Sequence, residues 1–221
     1  MVAKKGKGWR SGRREGRSRM VQMTRHLVVS EGKETEPRYF EGVRAALGAA
    51  NGRKVAIVVK GTGKHTLDLL DFAVEHCRYA PETFDHVWLV FDKDDFPAAD
   101  FDAMERKCAE LSDGSRTFHA LWSNPCFELW LLLHLRYTTA PMTAAECQRA
   151  LAQAMPKDLG VEYRKNLGGL FGMVDENRAE AIARAARLDG HHDSLGNTRP
   201  SAQNPATKVG AIFEELGPYL G

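Results

Sequence analysis

Cysteine is scarce and unclustered. Cys77, Cys108, Cys126 and Cys147 are scattered with no C-x-x-C between them, which argues against a zinc knuckle and fits reduced thiols in a cytoplasmic protein. Long apolar runs are missing too: none approaches the ~18–20 residues that a bilayer-spanning helix needs, so no membrane partner is expected. The N-terminus is basic but lacks the apolar core of a secretory signal, so export is not expected either. There is no internal repeat and no heptad seam. Charge of one sign is not in excess: 31 Lys and Arg against 29 Asp and Glu leave +2, too little for the whole-molecule field to announce nucleic acid. What is present is ordinary for a globular chain. With 43% hydrophobic residues over 221 positions, it can build one large domain.

The distribution of charge says more than its sum. Over residues 1–24, Lys4, Lys5, Lys7, Arg10, Arg13, Arg14, Arg17 and Arg19 face a single acid, Glu15, and almost nothing is apolar. Such a segment cannot bury a core and is expected to be a disordered arm. It can neutralise nucleic-acid phosphates or serve as a solubilising tail.

From residue 25 the pattern alternates. Short apolar runs at 26–30, 54–60, 86–91 and 117–122 read as strands. The run at 54–60 is apolar on both faces and is expected in the centre of a parallel sheet. Helical periodicity fills the intervals: Tyr39, Phe40, Val43 and Leu47 behind a Thr35 cap, then 67–79, then 99–111, then the very apolar stretch from Phe127 to Leu135. This predicts an α/β fold over 25–136: a mostly parallel four-stranded sheet with helices on both faces, strand order 2-1-3-4. Residues 137–221 read as a helical extension packed on the same domain, with caps at Thr143, Asp175 and Thr207 and a long loop from Gly190 to Pro205.

In such sheets, sites form beyond the carboxyl ends of the strands. Two acidic turns are expected there. Glu31 follows the first strand, and Asp92, Asp94 and Asp95 follow the third, about 60 residues later. If the first and third strands are neighbours, Glu31 emerges beside Asp92. Carboxylates so close repel unless a cation sits among them, and the usual answer is a hard divalent ion, Mg²⁺ or Mn²⁺, held through oxygen. Asp92 and Asp94 are the candidate ligands. Glu31 is a further ligand or a proton carrier, and Asp95 is a less certain member that can instead cap the following helix. The alternative is a pair of unrelated helix caps.

Three further features belong to the same edge. Lys60, Gly61, Thr62 and Gly63 form a glycine-rich turn into a helix, suited either to one phosphate held by backbone N–H groups or simply to a tight turn. It is not a P-loop, because Val58 stands where the first glycine is required and His65 follows Lys64. Glu128 sits in an otherwise apolar helix one turn after Asn124. It can add a metal ligand or orient a metal-bound water, or it can be a buried acid paired to an Arg or His. His134 reads as a core histidine and Cys126 as a packing residue. Lys165, in the polar loop beginning Tyr163-Arg164, can reach a phosphate as a point charge or be plain surface.

Together these segments resemble the RloB-like family of bacterial phage-defence proteins, of which the AbiLii type is one. The carriers are Glu-Gly-x-x-Thr-Glu-x-x-Tyr-Phe at 31–40, Val-Phe-Asp-x-Asp-Asp at 90–95 and Ser-Asn-Pro-x-Phe-Glu-x-Trp-x-x-x-His at 123–134. Tyr163 with Lys165, and Asn-Pro-Ala-Thr-Lys-Val at 204–209, look like later family motifs. The resemblance implies a Toprim-like fold and a metal-dependent nuclease acting on DNA or RNA in abortive infection. Glu31 would be the acid/base, Asp92 and Asp94 the metal ligands, and an ABC/AAA-type ATPase a partner. The alternative is a non-catalytic nucleic-acid-binding subunit of such a complex. The turn Gly-Thr-Gly-Lys-His-Thr at 61–66 departs from the family pattern, in which a Pro is expected near His65.

Overall fold

Alternation of apolar residues along three strands divides the core in two. In the computed structural model, which describes residues 23–220 apart from Arg53, Lys64, His65 and Asp95, four parallel strands form the sheet: β1 (Thr24–Ser30), β2 (Val55–Gly61), β3 (His86–Asp92) and β4 (Thr117–Asn124). A short strand β5 (Ala206–Thr207) pairs antiparallel with β4, giving the order β2-β1-β3-β4-β5. Val28, Trp88, Val90 and Leu121 face one side, and Leu27, Val29, Val87, Leu89 and Phe118 face the other. A one-residue shift in any strand would exchange these sets, so the pattern fixes the register.

Helices α1 (Thr35–Asn51), α2 (Thr66–Tyr79) and α3 (Ala98–Leu111) link successive parallel strands. Tyr39, Phe40, Val43 and Leu47 turn one stripe of α1 onto the Trp88 face. Leu69 and Ala73 of α2 and Phe101 and Met104 of α3 cover the other. After β4 comes α4 (Glu128–Leu135), apolar nearly all round and buried accordingly. Around it pack α5 (Ala144–Asp158), α6 (Leu170–Val174), α7 (Arg178–Ser194) and α8 (Ile212–Leu216). Trp130 of α4 donates its indole N–H to the Tyr39 hydroxyl at 2.9 Å, giving both large side chains a polar partner inside the core. Helix α5 starts on a reciprocal capping box between Thr143 and Glu146, as the sequence suggests. No described helix is long and apolar enough to cross a membrane.

Several expectations are corrected. The sheet has five strands, not four, and Thr207 lies in β5 instead of starting a helix. Its hydroxyl meets that of Ser123 at 2.8 Å. Two residues are too few to show any period. Strand β2 is an edge strand: α1 packs on one face, and Val58 on the other is half-buried against the second core cluster. Thr35 is the first residue of α1, not its cap: Glu34 occupies that place without a side-chain capping bond. Asp175 accepts from Arg178 at 2.6 Å rather than capping α7. Gly190 is inside α7, where the sequence suggests the start of a loop. Of the basic arm, all but its last two residues lie outside the described residues, and Thr24 already belongs to β1.

Candidate functional site

Strands β1 and β3 are direct neighbours, with Ser30 level with Val90, and the Glu31 N–H continues the ladder by donating to Val90 O at 2.9 Å. Both strands therefore run out at the same sheet edge. Glu31 leaves β1 beside Asp92, the last residue of β3. Past Asp92 the chain is pinned to its other neighbour, since Lys93 N–H donates to Ser123 O at 2.8 Å and Asp94 N–H to Pro125 O at 3.1 Å. Asp94 takes φ +25, a region sparsely used by residues with a Cβ and enriched in Asp and Asn. Such strain at a non-glycine residue is characteristic of functional turns.

The edge opens into a cavity of about 280 Å³ whose acidic lining includes Glu31, Glu36, Asp92, Asp94 and Glu128, with Lys33 and Lys165 among its cations. Asp92 is the centre of the electrostatics. Burial first, then the charges of Glu36, Glu128 and Glu31, push its carboxyl well above the usual range, against a stabilising bond from the Phe127 N–H. Its Oδ1 is buried with no hydrogen-bond partner among the described residues. Glu36 is likewise pushed up to about 7, by burial first and then by Glu128 and Glu31, with Lys165 opposing. An unpaired buried carboxylate oxygen is costly, and several carboxylates facing one cavity ask for a cation. Hard oxygen donors suit a hard divalent ion. As the side chains stand, no group of three or more His, Cys, Asp or Glu among the described residues is arranged to hold a metal ion. The donor chemistry therefore fits, while the ligand positions are not closed around one point.

A second layer holds the acids. The Tyr163 hydroxyl donates to Glu128 Oε1 at 2.8 Å. The Thr35 hydroxyl donates to Lys165 O at 3.1 Å, tying the loop around Lys165 to the start of α1. Gly32 is closed to larger residues: a Cβ there would stand 2.2 Å from Glu36 Oε2.

A family model for RloB-like proteins matches residues 26–216, which takes in every one of these residues. The chain belongs to the RloB-like family. No curated protein and no solved structure matches it.

In this RloB-like protein, five of the candidate residues, Glu31, Asp92, Asp94, Glu128 and Lys165, line one cavity. Asp95 lies outside the described residues. Asn124 is turned elsewhere, its amide donating to Pro200 O and Ser201 O at 3.3 and 3.2 Å. His134 does not line the cavity; it is buried with Nδ1 2.9 Å from Trp130 O, and burial pushes its pKa down to about 4. Cys126 lines the cavity wall and, like the other three cysteines, is buried and free. The glycine-rich turn does not fit the backbone phosphate cradle suggested for Lys60–Gly63. Thr62 N–H donates to Ser30 O at 3.0 Å and Gly63 N–H to Glu31 O at 2.8 Å, so neither donor faces a ligand, and Lys60 is an exposed strand residue. Sequence reasoning placed neither Glu36 nor Lys33 in the site. The signal for Glu36 was its apolar neighbourhood, since Tyr39 and Phe40 share its helix face three and four residues on.

A larger groove of about 750 Å³ lies away from these acids, lined among others by Gly42, Phe171, Phe213 and Ile182. Its ionisable groups are Asp175, Glu176 and Arg178, the first and last already paired at 2.6 Å.

Proposed function

We propose that this RloB-like protein is a Mg²⁺- or Mn²⁺-dependent nuclease of Toprim type that hydrolyses phosphodiester bonds of DNA or RNA in phage defence. The observation that carries the reading is the buried, unpartnered Oδ1 of Asp92 among Glu31, Glu36 and Glu128 at the carboxyl edge of a parallel sheet. Asp92 and Asp94 would hold the ion, with Glu31 and Glu128 as the further oxygen ligands. When bound, such an ion polarises a phosphoryl oxygen and stabilises charge on the leaving oxygen. Glu31, at the mouth of the β1 turn, accepts the proton of the attacking water. Lys165 supplies a positive charge to the scissile phosphate and, through its field, favours the ionised form of Glu36. Tyr163 fixes the Glu128 carboxylate by its hydroxyl bond, so this acid faces the cavity in one orientation.

No P-loop is present in the sequence, so nucleotide hydrolysis, where the defence system needs it, would come from an ABC/AAA-type ATPase partner. The unclosed ligand positions favour one competing reading, a nucleic-acid-binding subunit without catalysis. A single comparison separates them. Purified protein should cleave labelled single- and double-stranded DNA or RNA with Mg²⁺ or Mn²⁺ and not with EDTA. Asp92→Asn should lower the rate by at least about a hundredfold, the upper end of outer-shell effects at metal sites, at a melting temperature no lower than that of wild type. Equal cleavage by Asp92→Asn would sink the nuclease assignment.

A further inference from the structure

Two turns lie flat on each other beside the acidic cavity. The β1–α1 turn runs from Glu31 to Glu34, and the end of β2 runs into Thr62 and Gly63. They are joined by the Thr62 and Gly63 N–H bonds to Ser30 O and Glu31 O. The contact leaves no room for a side chain at Gly61. A Cβ on Gly61 would stand 2.6 Å from Pro37 Cγ and 2.9 Å from Gly32 O. Gly63 has φ +65, and a Cβ there would stand 2.0 Å from Lys33 Cε and 2.8 Å from its Nζ. The stem of Lys33 therefore lies across Gly63, in the space any larger residue would fill. A free lysine loses rotamer entropy on being ordered, and a stem already resting in a slot has less left to lose on binding.

Lys33 lines the carboxylate cavity yet is exposed, and among the described residues it forms no ion pair. Its neighbour Glu34 is taken by Arg38 at 2.8 Å. A cation seated at the mouth of an acidic cavity and left unpaired there is available to an anion arriving from solvent. Lys165 is the second such cation, and it comes from a different loop. A chain of phosphates can offer a separate anion to each of these two cations.

We propose that Lys33 binds a backbone phosphate of a nucleic-acid strand whose neighbouring phosphodiester lies at the acidic centre, and that Gly63, having no side chain, leaves open the slot in which the Lys33 stem lies. This assignment rests on the function proposed above, but its test reads binding alone. Full-length Asp92→Asn protein in EDTA is titrated against fluorescein-labelled single-stranded DNA and RNA by anisotropy, from about 50 to about 200 mM KCl. Adding Lys33→Ala should reduce the slope of log K against log salt by about 0.7–1, so that the affinity lost over this range becomes about threefold smaller. Lys33→Arg should keep the slope. Gly63→Ala should imitate Lys33→Ala and add nothing to it, because both act on the same ammonium. An unchanged slope in Lys33→Ala at an unchanged melting temperature overturns the assignment, as does full additivity with Gly63→Ala. Lys33-dependent binding by a wild-type protein that never cleaves would instead overturn the nuclease reading and leave this one standing.

Discussion

In the metal-free protein, Glu36→Gln should stabilise the fold. Glu36 stands in the first turn of α1, where an exposed carboxylate would normally gain about 0.3–1 kcal/mol from the helix dipole. Here the residue is 8% exposed, and burial with Glu128 and Glu31 raises its pKa from 4.5 to about 7. The native state therefore holds this proton more tightly than the unfolded chain does. Stability is greatest below pH 4.5 and is lost as pH rises from there to about 7. At pH 7 the ionisation of Glu36 costs about 3 kcal/mol of stability, and at pH 5 about 1 kcal/mol. A neutral amide of the same shape removes the cost. Urea unfolding in EDTA should show the variant more stable than wild type by about 3 kcal/mol at pH 7, with most of the gain gone at pH 5. Mg²⁺ should narrow the difference, because a bound cation favours the ionised carboxylates of the wild type. A variant less stable than wild type at pH 7 in EDTA, or a gain independent of pH, would refute the argument that these acids repel one another.

Two further outcomes follow from the same physics. His26, stacked on His86 and accepting the Trp88 indole N–H at 3.1 Å, is pushed down to about 3, first by burial and then by His86, and His119 to about 4. Their stabilising contribution is present above pH 6.5 and is lost as pH falls through 6.5 toward 4, His26 alone costing about 2 kcal/mol at pH 5. The His26 ring resonances should not move between pH 7 and pH 5, and a titration midpoint near 6.5 would contradict the packing. Tyr163→Phe removes the donor to Glu128 and should cost about 1–3 kcal/mol in unfolding free energy while loosening the loop around Lys165. Hydrogen exchange of that loop is the check, and unaltered protection would show that the phenol holds nothing.

Much of the sheet was legible because its strands are short apolar blocks and its crossovers are helices of clear period. The neighbouring placement of β1 and β3, on which the acidic centre depends, followed from the common order of such folds and not from any residue. What escaped notice shares one cause: local signals too short or too ambiguous to read. Strand β5 has two residues. Strand β2 looks central because both faces are apolar, yet it lies at the sheet edge. Thr35 and Asp175 are good capping residues by type, but each is engaged otherwise, Thr35 with the distant Lys165 O and Asp175 with Arg178 three residues on. An acid in a first helical turn needs no further explanation than the helix dipole, so nothing local marks Glu36 as buried; Gly32 packs against it only in the fold. Glu128 was noticed because a carboxylate among leucines is conspicuous, while its partner Tyr163, 35 residues on, left no trace in the spacing.

The late position of β5 in the chain has a consequence for biosynthesis. A ribosome that has completed α4 has already made Glu31, Glu36, Asp92 and Glu128. Tyr163, Lys165 and the strand that covers the open side of β4 are still to come. The growing polypeptide thus carries crowded acids without the phenol that steadies Glu128 or the lysine that offsets Glu36. Premature termination before residue 163 leaves the acids without these partners, and termination anywhere before residue 206 leaves a bare strand edge, so a fragment is a good target for quality control.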